Sequence, residues 1–320
     1  MFSRLISATK KPSIITKVKM FSSATGAANS RLCSPQFLSE NINKVKVLDC
    51  SWYLPTFNRD TLAEFNQQRI KGSFFFGIDT VKDHSTDLPH MIPSEAEFNK
   101  YMDDHGISND DHIVLYDTFG FQGACRVMWN LETFGHKNVQ ILNGGFQEWK
   151  KLGLPIETTP FTPPSNKPSG NYSSKIDRSL VTSKSQILDY ISQLNSSNGQ
   201  NGPLIIDARP APRFNGVEAE PRPGLAMGHM PHAYNVPFPH VFTAQDSGAI
   251  VCKSKDELAA VFKDLDLSRK IVTTCGSGIT AACLYVALKI AGANDVSVYD
   301  GSWAEYGADP ANPVITSTSI

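Results

Sequence analysis

The chain is written twice. Val47-Leu48-Asp49 reads as a buried strand ending in an acid, and so does Leu204-Ile205-Ile206-Asp207, with Asp207 lying 158 positions after Asp49. His112–Asp117 reads as a strand that leads through Gly120 into an apolar helical run ending at Phe134. Lys270–Cys275 leads through Gly276 into a similar run ending at Ile290, and the offset from Asp117 to Cys275 is again 158. Val139–Leu142 runs into Gly144-Gly145-Phe146 and Trp149, whereas Val296–Tyr299 runs into Gly301-Ser302-Trp303 and Tyr306, an offset of 157. Each copy therefore reads strand, helix, strand, helix, strand, helix. Parallel strands need crossover connections, and helices serve as those crossovers and cover the sheet. The expected fold is α/β: two tandem domains, each a parallel sheet with helices on both faces.

Length and composition agree with that expectation. The 320 residues suit two domains of ordinary size, and an apolar fraction of 41% is enough to build their cores. Thirty basic against 31 acidic residues leave a net charge of −1, which argues against direct nucleic-acid binding. No run is long and apolar enough for a membrane span. The six cysteines form no C-x-x-C pair, so neither a disulfide scaffold nor a zinc ribbon is expected. Residues 1–30 are different in character. They carry Arg4, Lys10, Lys11, Lys17 and Lys19, are rich in Ser and Thr, and contain no acid. That is the composition of a mitochondrial presequence; a disordered basic tail is the plainer alternative. Met20 offers a second start and hence a cytoplasmic form as well. The expected boundaries are 1–30 for the presequence, 31–157 for a first domain and 177–310 for a second, with a tail at 311–320. A Pro-rich linker, 158–176, is expected to be extended and to space the domains without adding to a core.

In doubly wound sheets, sites form beyond the carboxyl ends of strands. The loop Cys275-Gly276-Ser277-Gly278-Ile279-Thr280 lies at such an end and opens a helix expected over Ala281–Ile290. Two glycines let the backbone curl, turning N–H groups towards the sulfur of Cys275. Such donors hold a thiolate, or a persulfide whose outer sulfur carries the charge. A free cysteine is more often a small buried hydrophobe, but the strand–cysteine–glycine–helix context favours a nucleophile at Cys275. Its counterpart Asp117 cannot attack sulfur, so one half is expected to be catalytic and the other not. Cys125 and Cys283 also match at an offset of 158, but lie inside helical runs and read as packing residues.

These segments together resemble the two-domain rhodanese family, and within it the fungal-type 3-mercaptopyruvate sulfurtransferases. The resemblance rests on the loop CGSGIT, on Asp49–Pro55, Arg69–Ser73 and Pro89–Pro93 in the first half, and on Asp207–Arg209, Arg213–Gly216, Glu220–Arg222, Gly228–Ala233 and Asp300–Trp303 in the second. It covers nearly all of the chain after residue 30. Ile279 stands where valine is usual, and Lys71 and His232 replace an expected proline and glycine. The resemblance implies two rhodanese-like domains. It implies that Arg213 and Arg222 hold the carboxylate and keto group of the donor, a task that suits guanidinium's paired donors. Gly276, Gly278, Ile279 and Thr280 would complete the substrate loop around Cys275. Ser277, His90 and Asp79 match a group proposed to assist proton transfer, with His90 and Asp79 coming from the first half; an ordinary loop histidine after Pro89 is an equal reading. Arg209 and Arg69 are expected in structural ion pairs. No cofactor and no metal is implied. The expected partners are a small-molecule sulfur donor and a thiol acceptor, with room for a protein acceptor, and the expected state is a monomer.

Three functions compete. A sulfurtransferase would pass sulfur from mercaptopyruvate, or from thiosulfate, through a Cys275 persulfide to a thiol, cyanide or a protein. A thiosulfate enzyme is expected to carry cations inside the loop, where Gly276 and Ser277 are neutral. A cysteine-loop phosphatase would place arginine at the sixth position after the cysteine, which here is Ala281. A sulfur-relay protein feeding a tRNA-thiolation partner would share Cys275 and differ only in its acceptor.

Overall fold

Six short runs rich in Val, Ile and Leu form the centres of two sheets in the computed structural model, which describes residues 30–118, 120–162 and 171–316. Nearly every residue in these runs is buried. The strands are therefore continuous apolar stretches with no polar alternation, as a sheet covered on both faces requires.

The first sheet contains β1 (Leu32–Cys33), β2 (Lys46–Asp49), β4 (Phe74–Phe75), β5 (Ile113–Tyr116) and β6 (Val139–Leu142), in the order β1-β6-β5-β2-β4. The second contains β8 (Val181–Thr182), β9 (Leu204–Asp207), β10 (Ala233–Asn235), β13 (Ile271–Thr274) and β14 (Val296–Tyr299), in the order β10-β9-β13-β14-β8. Every pairing in both sheets is parallel. The two orders superpose strand for strand, so the duplication in sequence is a duplication in topology. Three strands per half were expected and five are present. The extra pair in each half is only two or three residues long, too short to leave a pattern in sequence. Two small antiparallel ribbons complete the strands: β3 (Arg69–Ile70) with β7 (Ile156–Glu157), and β11 (Phe242–Ala244) with β12 (Ile250–Cys252).

Helix starts follow local chemistry. Ser94 with Glu97, Ser183 with Gln186 and Ser254 with Glu257 form reciprocal capping boxes. Two of the helices that break this rule matter most for the site. Gln122–Thr133 and Ile279–Ala291 follow β5 and β13 without a side-chain cap, and they pack against each other. Ile279–Ala291 is buried on almost all sides, which explains why its sequence is apolar all round. One core cluster runs through both halves, from Leu48 and Leu115 through Met128 and Trp129 to Leu284 and Val286.

That continuity includes Tyr172, so the expectation that the linker would space the domains without adding to a core is corrected. The halves share a core, and the end of the linker joins it. Tyr172 is buried against Phe98, and the Ile176 N–H bonds Glu95. Most of the linker's prolines, like residues 1–29 of the expected presequence, lie outside the described residues. No described helix is long and apolar enough to cross a membrane.

Candidate active site

Cys275 follows β13 directly, at the carboxyl end of the central strand of the second sheet. The chain turns at Gly278, whose φ is +84°, and the helix begins at Ile279, two residues earlier than the sequence suggested. The turn aims the Gly278 N–H at Cys275 Sγ, 3.1 Å away. A neighbouring turn clasps the loop from behind: Trp303 N–H donates to Cys275 O and Ala304 N–H to Gly276 O, both at 2.9 Å. The Cys275 N–H meets Ser302 Oγ at 3.3 Å, and that hydroxyl donates onward to Tyr299 O.

The first half shows the same turn with its anion built in. Asp117 Oδ1 accepts from the N–H groups of Gly120 and Phe121 at 2.7 and 2.9 Å, and Oδ2 from those of Gly123 and Ala124 at 3.0 and 3.2 Å. Burial raises the pKa of Asp117, and the four donors oppose that rise. The geometry shows what such a turn does: it converges backbone N–H groups on one negative group.

Cys275 faces a cleft of about 290 Å³ between the halves. Gly276, Ser277, Ile279 and Thr280 line it beside the cysteine; Gly278 does not, because it turns away from the cleft. Arg213, Glu220 and Arg222 line it too, and the first half contributes Trp52, Tyr53, Leu54 and Phe57. The Pro- and Gly-rich segment Pro210–Pro239 is not one continuous loop: it contains the short helix Ala211–Phe214, which carries Arg213, and strand β10.

The arginines differ in what they face. Arg209 is fully engaged: its guanidinium bonds Asp207 and Glu220 at 2.7 Å each and lies 4.1 Å over the Trp303 ring. Arg69 pairs with Glu157 at 3.0 Å, so both belong to structural ion pairs. Arg213 Nη1 is 3.6 Å from Glu220, a loose partner. Arg222 is half-buried and has no ion pair or hydrogen bond among the described residues.

Asp79 and His90 meet at the edge of this site. His90 Nδ1 lies 2.6 Å from Asp79 Oδ1 in an ion-pair contact without hydrogen-bond alignment, and His90 Nε2 is buried without a partner. Trp52 joins them. Its indole N–H donates to Asp79 Oδ2 at 2.9 Å, and its ring meets the His90 ring edge-on at 5.0 Å. Burial lowers the pKa of His90; Asp79 opposes that shift, and Arg126 and Arg222 add to it. The structure thus brings Asp79 and His90 together. Ser277 lines the cleft and makes no hydrogen bond to His90.

Trp52, Glu220, Asp300 and Arg126 were not singled out from sequence as working residues. Arg126 left one trace there, a lone charge in the apolar run Ala124–Leu131, and a charge on a buried helix needs partners. The other thiols are poor nucleophiles where burial acts on them. It pushes Cys33 and Cys252 up to about 12 and raises Cys50 and Cys125 well above the ordinary thiol range. No metal-binding cluster of His, Cys, Asp and Glu occurs among the described residues.

A cysteine met by a backbone donor at a strand end, in a cleft between two copies of one fold, defines a cysteine-loop transferase. Residues 34–152 and 190–309 each match the model of the rhodanese-like domain. The chain belongs to the rhodanese family and is a sulfurtransferase. It is 40% identical over 276 residues, 85% of this chain and 89% of the relative, to the Schizosaccharomyces pombe protein called "Probable 3-mercaptopyruvate sulfurtransferase". It is 36% identical to the thiosulfate sulfurtransferase of Gallus gallus, over 88% of this chain and 95% of the relative. The solved yeast mitochondrial complex I sulfur transferase subunit superposes with a TM-score of 0.78 at 34% identity, over 89% of this chain and 99% of that one.

Proposed function

We propose that the sulfur donor is 3-mercaptopyruvate and that Cys275 carries the sulfur as a persulfide. The observation that carries this reading is Arg222, a cation that lines the cleft with Cys275 and has no ion pair or hydrogen bond among the described residues, while the loop itself presents neutral Gly276 and Ser277. A donor with a carboxylate set apart from its sulfur suits that layout. Thiosulfate, a dianion with its charge next to the transferred sulfur, would call for cations in the loop.

The Cys275 thiolate attacks the donor sulfur, and the S–S bond forms as the C–S bond breaks. The bonding pair leaves on carbon as the enolate of pyruvate, which takes a proton to give pyruvate. Ser277 lines the cleft and serves as the hydroxyl that delivers this proton, and His90, oriented by Asp79, replenishes it. The Gly278 N–H and the helix start behind it stabilise the charge left on the outer sulfur. An acceptor thiolate then attacks that outer sulfur and restores Cys275. Arg222 and Arg213 orient the donor through its carboxylate and keto group.

Two measurements test this. Intact-mass analysis after mercaptopyruvate treatment is expected to show one added sulfur, on Cys275, and Cys275→Ser is expected to show none. For Arg222→Gly, losing a charge-assisted contact worth about 1.5–3 kcal/mol should lower kcat/KM for mercaptopyruvate roughly 10–200-fold, and for thiosulfate by less. Sulfur on another cysteine sinks the nucleophile assignment, and an unchanged donor ratio sinks the role of Arg222.

The basic, acid-free residues 1–30 support import into mitochondria, as does the mitochondrial yeast relative. A second pool in the cytoplasm would start at Met20. A fluorescent reporter fused to residues 1–40 should enter mitochondria; a purely diffuse signal contradicts this. The same relative is a subunit of a larger assembly, which supports a protein among the acceptors.

A further inference from the structure

We infer that Arg126, from the non-catalytic half, is a positioning residue for the Cys275 loop. Its side chain is wholly buried and enters the second half from the helix Gln122–Thr133. One nitrogen, Nη1, donates to Gly278 O at 3.3 Å. The other, Nη2, donates to His90 O and lies 2.7 Å from Asp300 Oδ1. Asp300 Oδ2 accepts from Ile92 N–H at 2.8 Å, and the guanidinium sits 4.5 Å over the Trp129 ring. A single planar cation therefore joins the catalytic loop, the turn holding His90 and the Asp300 turn that clasps the loop from behind.

The position chosen on the loop is telling. The Gly278 N–H is the donor to Cys275 Sγ, and the Gly278 carbonyl is the acceptor held by Arg126. The two groups flank one α-carbon whose φ is +84°, so fixing the carbonyl fixes where the N–H points. The fit is tight: a Cβ at residue 278 would come within 2.6 Å of Arg126 Nη1. Arg126 does not line the cleft. It acts on the sulfur only through the loop, and this gives the half without a nucleophile a part in positioning the one in the other half.

Arg126→Lys and Arg126→Gln test this without any sulfur donor. Lysine keeps the charge and loses the fork; glutamine keeps polarity and loses the charge. The rate of Cys275 alkylation by iodoacetamide at pH 7 is expected to fall about tenfold in both, as is kcat with mercaptopyruvate, while KM stays within about twofold. A folded variant that alkylates at the wild-type rate overturns the proposal. So does a KM that rises in step with the loss of kcat, which would mark a general brace of the cleft. If neither variant folds, Asp300→Asn, which removes the carboxylate that orients the guanidinium, carries the same expectation and the same two refutations. Because alkylation needs no donor, it stands apart from whether mercaptopyruvate is the substrate.

Discussion

His90 shows how far surroundings decide what a residue can do. Its neighbours are Asp79, Arg126 and Arg222, and burial among them lowers its pKa below the ordinary histidine value. Asp79 is the group holding that pKa up, so Asp79→Asn should lower it further. NMR titration of the His90 ring would check this, and an upward shift would contradict the arrangement described. The sign for stability follows: a histidine depressed in the folded state binds fewer protons than in the unfolded chain. Its contribution is present above about pH 6.5, the unfolded value, and is lost as the pH falls towards the folded pKa. Cys275 was legible in sequence because strand, cysteine and glycines stand together along the chain. Arg222 and Arg209 were harder to separate. What distinguishes them is Glu220 and Asp207 closing on one and not the other, and that is a fact of space.

At the scale of an element, the turn after β13 depends on one glycine and tolerates change at another. Gly278 has φ +84°, and a Cβ there would meet Arg126 Nη1 at 2.6 Å and Asp300 O at 2.9 Å. Gly276 has no positive φ, and a Cβ there would meet nothing nearer than Glu220 at 4.0 Å. Gly278→Ala is therefore expected to cost about 2 kcal/mol or more in denaturant unfolding and most of the activity, with Gly276→Ala within about 1 kcal/mol of wild type. Equal effects would show that the turn is not set by backbone geometry. The repeat of strands and helices was visible in sequence through glycines and aromatics at fixed offsets. The edge strands were not, because two residues such as Phe74-Phe75 become a strand only when a neighbour such as β2 lies alongside.

For the molecule as a whole, the halves are one working unit. Ile279–Ala291 is covered by the first half, and the cleft takes Trp52 and Tyr53 from it. A fragment of residues 177–310 should therefore expose an apolar helix, bind a hydrophobic dye and transfer no sulfur; a soluble, active fragment would refute this. The chain's pseudo-symmetry has a further consequence. Asp117 satisfies four backbone donors with a carboxylate that never leaves, whereas Cys275 Sγ meets one. On the proposed mechanism, arriving sulfur would add no charge to the second turn, since thiolate and persulfide each bear one, but would move that charge one atom beyond Sγ. Loaded and empty enzyme would then differ in how the second turn is satisfied, whereas the first turn, whose anion is covalently fixed at Asp117, would be the same in both.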